Sequence, residues 1–138
     1  MRSLPLLMLA LAAGTFLLGC SAEERTNEPK GWPVSGTVNL DGKPLASGRI
    51  HFIDKDTTPP REAVLDITGG TYSGEVSAGP KRVEIRAFRD DVTASAGGAP
   101  TDEDPQYLPK KYNDDSQETA EVKTEGPNEF SFDLTSGD

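Results

Sequence analysis

Lys81-Arg82-Val83-Glu84-Ile85-Arg86-Ala87-Phe88-Arg89 is the stretch on which the reading of the chain turns. Val83, Ile85 and Ala87 stand at every second position, with charged residues between them that are expected to face out. That period of two belongs to a strand with one face in a core and the other in water; a helix would space its apolar residues three and four apart. Upstream, Trp32-Pro33-Val34-Ser35-Gly36-Thr37-Val38-Asn39-Leu40 repeats the pattern, with Val34, Val38 and Leu40 on one face and Gly36 between them. Residues 48–54 place Ile50 and Phe52 inward and Arg49 and His51 on the opposite face, Ile53 being the exception to the alternation. Residues 63–68 align Ala63, Leu65 and Ile67, and a short strand with Tyr72, Gly74 and Val76 follows. Downstream come residues 119–124 and then 128–134, where Phe130, Phe132 and Leu134 alternate with Ser131 and Asp133. Seven strands result.

The punctuation between them is that of antiparallel neighbours. Asp41-Gly42 makes a tight turn, because glycine tolerates positive φ and aspartate caps it locally. Pro59-Pro60 is a break, Gly69-Gly70 closes what reads as a hairpin, and Ser77-Ala78-Gly79-Pro80 is a further turn. Strands separated by turn signals every eight to twelve residues or so predict a sandwich. Parallel crossovers would need helices that the pattern lacks, so the sheets are expected to be mostly antiparallel. Residues 90–112, poor in apolar residues and rich in Gly, Ala, Pro and acid, read as a long loop.

Composition excludes several functions. The 138 residues suit one domain, and 14 Lys+Arg against 23 Asp+Glu leave a net charge of −9. No clustered basic surface is visible to release counterions from phosphates, which argues against nucleic acid. One Cys and one His exclude a disulfide framework and make a closed Cys/His zinc site untenable. No phosphate-binding loop, dinucleotide fingerprint, G-x-S-x-G or H-E-x-x-H occurs.

The first twenty residues are a different material from the rest. After Arg2, residues 4–18 are apolar except for Pro5, Gly14 and Thr15, the pattern of a secretory leader too short to span a bilayer, which takes about 20 helical residues. The run ends in Leu17-Leu18-Gly19-Cys20 and turns polar at Ser21. This resembles the lipobox of bacterial lipoproteins, with Leu17 three residues ahead of the Cys, although Leu18 stands where Ala or Ser is more usual. The resemblance implies cleavage after residue 19 and acylation of Cys20, which would make membrane lipid the first partner. Ser21 resembles a sorting signal for the outer membrane, so that location is favoured, with the domain in the periplasm or at the surface. The expected organisation is a leader over 1–19, lipidated Cys20 with a flexible tether over 20–31, and one domain over 32–135.

A second resemblance covers that domain. Val34-Ser-Gly-Thr-Val-Asn-Leu-Asp-Gly-Lys-Pro-Leu-Ala-Ser-Gly-Arg-Ile-His-Phe-Ile resembles the opening of transthyretin-like, carboxypeptidase-regulatory-like domains. With the lipobox, Leu108-Pro109-Lys110-Lys111-Tyr112-Asn113 and the closing residues 128–134, the chain is similar to small lipoproteins of planctomycetes. The resemblance implies a prealbumin-like, seven-stranded antiparallel β-sandwich with no catalytic residue and no zinc ligands.

Candidate sites are few. His51 is expected on an outer sheet face as an ordinary surface residue. Asp90, Asp91, Asp102, Glu103 and Asp104 could gather around calcium, though their spacing fits no EF-hand and solvated loop acids are common. Trp32, Tyr107 and Tyr112 could stack on a sugar, Trp32 reading better as a lid on the end of the core. Asp114-Asp115 begins a turn or strand. Tyr107, Leu108 and Tyr112 are the candidate partner contacts, with Pro109 directing the chain back to the sheet. The function expected is therefore a lipid-anchored, non-catalytic structural or binding module of the cell envelope, without cofactor or metal, touching an envelope protein or a glycan and no nucleic acid. A carbohydrate- or calcium-binding envelope domain is the alternative.

Overall fold

The computed structural model describes residues 29–88 and 106–137. The leader, Cys20 and the acidic group Asp90, Asp91, Asp102, Glu103 and Asp104 lie outside the described residues. Strands are β1 (Gly31–Leu40), β2 (Lys43–Pro44), β3 (Ser47–Asp54), β4 (Arg61–Thr68), β5 (Thr71–Ser77), β6 (Gly79–Arg86), β7 (Thr119–Val122), β8 (Asn128–Glu129) and β9 (Phe132–Leu134). A single 3-10 turn, Lys110–Tyr112, is the other regular element among the described residues.

Seven strands form a curled antiparallel sheet in the order β2-β1-β5-β4-β3-β6-β7. Its inner positions are those of the two-residue period: Val34 and Val38, Ile50 and Phe52, Val83 and Ile85 are all buried. Phe52 on β3 meets Tyr72 on β5 and Phe130 with ring centroids 6.0 and 6.3 Å apart, so the curl brings its two limbs together across one core. The β1–β2 turn has Asp41 at φ 52° and Gly42 at φ 77°, the left-handed pair that matches the twist of a two-residue hairpin.

Strand pairing departs from expectation at the chain's end. β8 and β9 pair with β1 in parallel, on the edge opposite β5, since Val34 and Ser35 face Gly74 and Ser73 on one side and Asn128 and Glu129 on the other. The intervening strands act as the long crossover that a parallel pair needs, in place of a helix. The stretch 128–134, expected as one strand, is interrupted because the Phe130 carbonyl accepts the Tyr72 hydroxyl at 2.7 Å. Gly36 makes this possible: a Cβ there would meet Phe130 O at 1.8 Å and the Tyr72 hydroxyl at 2.7 Å.

Three exposure expectations are corrected. Glu84, which stands between Val83 and Ile85 and is expected in solvent, is 5% exposed, held by Arg82 and Arg86. His51 does lie on the face away from Ile50 and Phe52, yet it is 1% exposed. Its strand is flanked by β4 and β6, whose Val64 and Glu84 stand opposite it, and Glu62 from β4 reaches its Nδ1 at 2.5 Å. Lys81, whose charge on its own predicts a place in solvent, shares the parity of Val83 and Ile85 and is 2% exposed. Its ammonium donates to Asp54 Oδ2 at 3.3 Å and to the Ala78 carbonyl at 3.0 Å, the partners that make burial of a charge tolerable.

Candidate functional site

The curl has two gaps, and the sequence treats them differently. Between β7 and β8 the gap is bridged by Asn128, which is 5% exposed. Its Oδ1 accepts from Lys123 N at 2.8 Å, and its Nδ2 donates to Lys123 O at 3.0 Å and to Pro33 O at 3.3 Å. One side chain thus satisfies backbone groups of two strands that do not pair directly.

Between β4 and β5 the gap stays open. The two strands leave the Gly69-Gly70 turn, pair at Thr68 and Thr71, and then part, β4 following β3 along its whole length and β5 following β1. The turn is held by Gly69 N to Ala46 O at 2.9 Å, Gly70 N to Leu45 O at 2.7 Å and Val38 N to Gly70 O at 2.8 Å. Leu65 lies across the gap on Gly74, where a Cβ would come within 2.3 Å of its Cδ2.

The opening continues as two recesses along the strands. One, about 650 Å³, is lined by Ser35, Thr37, Thr68, Thr71 and Ser73, with Val64, Leu65, Tyr72, Asp66 and Glu129 around them. The other, about 560 Å³, lies between Arg61, Glu62 and Ala63 on one side and Gly31, Glu75 and Ser77 on the other, beside Pro29. Val64 is 45% exposed, unusual for so apolar a side chain on a strand. The Asp66 carboxylate is 84% exposed and only loosely met by Arg49 Nε at 3.7 Å. Burial, with help from the Glu129 charge, pushes the Tyr72 phenol well above its ordinary pKa, so it keeps its proton and its bond to Phe130 O. Hydroxyls, carboxylates and one aliphatic side chain can hold a ligand by hydrogen bonds and charge. Among the described residues no group of three or more His, Cys, Asp or Glu is placed to hold a metal ion.

The residues singled out as partner contacts do not form one surface. Tyr107 is 40% exposed, whereas Leu108 and Tyr112 are buried in the core. The Tyr112 hydroxyl lies 3.2 Å from the Thr135 hydroxyl and accepts from Thr135 N at 3.0 Å; these bonds hold its pKa below the usual phenol value, against the effect of burial. Asn113, fully buried, donates to the carbonyls of Leu108 and Pro109 and secures the segment that Pro109 begins. Trp32 is half-buried against the core, with the Lys30 ammonium 4.2 Å from its ring centre. Asp114 follows in a turn and accepts from Arg86 at 2.9 Å. Sequence reasoning missed the hydroxyl set of the open gap. Its trace was present in the outward positions of β1 and β5, which carry Ser and Thr where β6 carries charge, but which strands were neighbours was not visible.

The described residues therefore define an all-β domain with one bridged gap and one open gap, and no helix among them is long and apolar enough to cross a membrane. Compared with protein-family models, curated proteins and solved structures, the chain matches none.

Proposed function

We propose that the protein is a lipid-anchored module of the bacterial cell envelope, non-catalytic, that binds a partner at the open gap between β4 and β5. The observation that carries the reading is the chain's one cysteine, Cys20, closing an apolar run eleven positions ahead of Gly31, the start of β1. A net charge of −9 supports a covalent anchor, because an acidic domain is repelled by anionic lipid and gains nothing from the electrostatic route to a membrane. The outer membrane is the location favoured by Ser21. We read the curl as a two-layer sandwich of the transthyretin-like kind, β5-β1 with β8 and β9 stacked on β4-β3-β6-β7. Supporting this, Val34, Gly36 and Val38 of the quoted motif are buried and Gly42 sits in the left-handed turn. An experimental structure with the layers about 10 Å apart checks it.

Replacing Cys20 by Ala tests the anchor. The variant is expected to leave the membrane fraction and to lose labelling by an alkyne fatty acid; retention in carbonate-washed membranes overturns the reading. A glycan ligand is the second reading, favoured by the hydroxyl row of Ser35, Thr37, Thr71 and Ser73. A glycan array separates the two, with a saturable hit lost in Ser35→Val favouring the sugar.

A further inference from the structure

Two strand edges face the open gap. One edge of β4 is taken by β3 over Arg61–Thr68, and among the described residues the other edge is paired only at Thr68. In an antiparallel ladder alternate residues send N–H and C=O to alternate sides, so about half of the β4 residues aim backbone groups into the gap. At the other edge of β1, Asn128 satisfies backbone groups of Lys123 and Pro33. Among the described residues no other strand pairs with this β4 edge, and beside it Val64 is 45% exposed and the Asp66 side chain 84%.

The charges around this edge select what could pair with it. Asp66 and Glu129 line one recess and Glu62 and Glu75 the other, while Arg61 is the one cation among the described residues that line either. Glu62 is engaged with His51, which leaves Asp66, Glu75 and Glu129 turned to solvent. A second copy of the chain fits poorly. Antiparallel self-pairing of β4 about Val64 would set Glu62 opposite Asp66 twice, and like charges directly opposite destabilise a ladder.

From the free edge and its acidic walls we infer that the gap accepts an extended cationic peptide segment, which adds to β4 as a strand with Lys or Arg at alternate positions on the face of Asp66 and small apolar side chains on the face of Leu65. Backbone bonds to β4 supply the pairing and the carboxylates the selectivity. The inference deepens the binding-module reading and is independent of the anchor. Failure of peptide binding leaves the Cys20 experiment standing, and failure of the anchor leaves this one standing.

The test uses the full chain in detergent and a fluorescent Lys-Val-Lys-Val-Lys-Val peptide, read by polarisation at physiological salt. The acidic Glu-Val counterpart and a Lys-Val peptide N-methylated at alternate residues are both expected to bind at least about tenfold more weakly. Asp66→Lys is expected to weaken the basic peptide about tenfold, while Glu121→Lys, at an exposed position of β7 that lines neither recess, leaves it unchanged. Urea denaturation shows that both variants fold. Equal binding of the N-methylated peptide means charge without strand pairing and overturns the inference. So does equal loss from Asp66→Lys and Glu121→Lys, or a self-association that Val64→Lys abolishes and the peptide does not compete with.

Discussion

Gly36 carries a cost that its neighbours set. A methyl group there would run into the Phe130 carbonyl at 1.8 Å, a backbone atom that cannot swing aside. Gly36→Ala is expected to lower stability by roughly 2–4 kcal/mol, read from the urea midpoint. Tyr72→Phe leaves the same carbonyl without its donor and is expected to cost about 1 kcal/mol. Combining the two should restore little, because removing the hydroxyl leaves the Phe130 clash in place. The Asp54–Lys81 pair predicts an acid dependence. Desolvation pushes the Asp54 carboxyl up, but the Asp56 N–H, the Lys81 hydrogen bond and the charges of Lys81 and Arg61 outweigh it, and its pKa falls below the ordinary 3.8. A carboxyl depressed by folding adds stability that is complete above its unfolded value and lost as the pH falls through its folded one. Stability is therefore expected to decline below about pH 4, and Lys81→Met is expected to flatten that decline and to lower stability at pH 7, because it leaves the Asp54 carboxylate without its cation. Denaturation midpoints measured across pH 2–7 check both.

Among the elements, the bridged gap is the more vulnerable. Asn128→Ala removes three hydrogen bonds at once and leaves Lys123 N, Lys123 O and Pro33 O short of a partner. A loss of roughly 2–3 kcal/mol is expected in urea denaturation. Asn128→Asp keeps only the bond from Lys123 N, and no rescue by that substitution is expected at neutral pH. The strands themselves were legible in sequence: the alternations around Val34, Ile50, Val83 and Phe132 are the buried positions of β1, β3, β6 and β9. Asn128 was not. Read locally it is a polar residue at the start of a strand, and its role comes from Pro33, 95 residues away. The open gap was hidden for the same reason. Gly69-Gly70 announces a hairpin, and nothing in either strand says that β4 prefers β3 and β5 prefers β1 beyond the first pair.

For the whole molecule, net charge is the property that reaches every part. At −9 the folded state repels itself, and compactness makes that repulsion larger than in the unfolded chain. Raising ionic strength from about 0.01 M to about 0.1 M shortens the screening length from about 30 Å to about 10 Å. The melting temperature is expected to rise by about 2–4 °C over that range, a change equivalent to several tenths of a kcal/mol. Weakening of Arg82–Glu84–Arg86–Asp114 by the same salt works against this, but Glu84 at its centre is buried, where salt screens little. A calorimetric scan in which salt lowers the melting temperature would show that the ion-pair network outweighs the self-repulsion.

Periodicity is a local property, and it sufficed for the strands, their inward faces, the Asp41-Gly42 turn and the absence of long helices among the described residues. Pairing is not local. The parallel docking of β8 and β9 on β1, the bond from Tyr72 to Phe130 across Gly36 and the parting of β4 from β5 each join residues that no short window contains together. Burial of His51 and Lys81 follows the same logic, since alternation tells which face a side chain takes while only the neighbouring strands and their Glu62, Glu84 and Asp54 decide whether water reaches it. Tertiary structure alone brings the hydroxyls of β1 and β5 to the acidic edge of β4, because a gap exists only between strands that the fold has already placed.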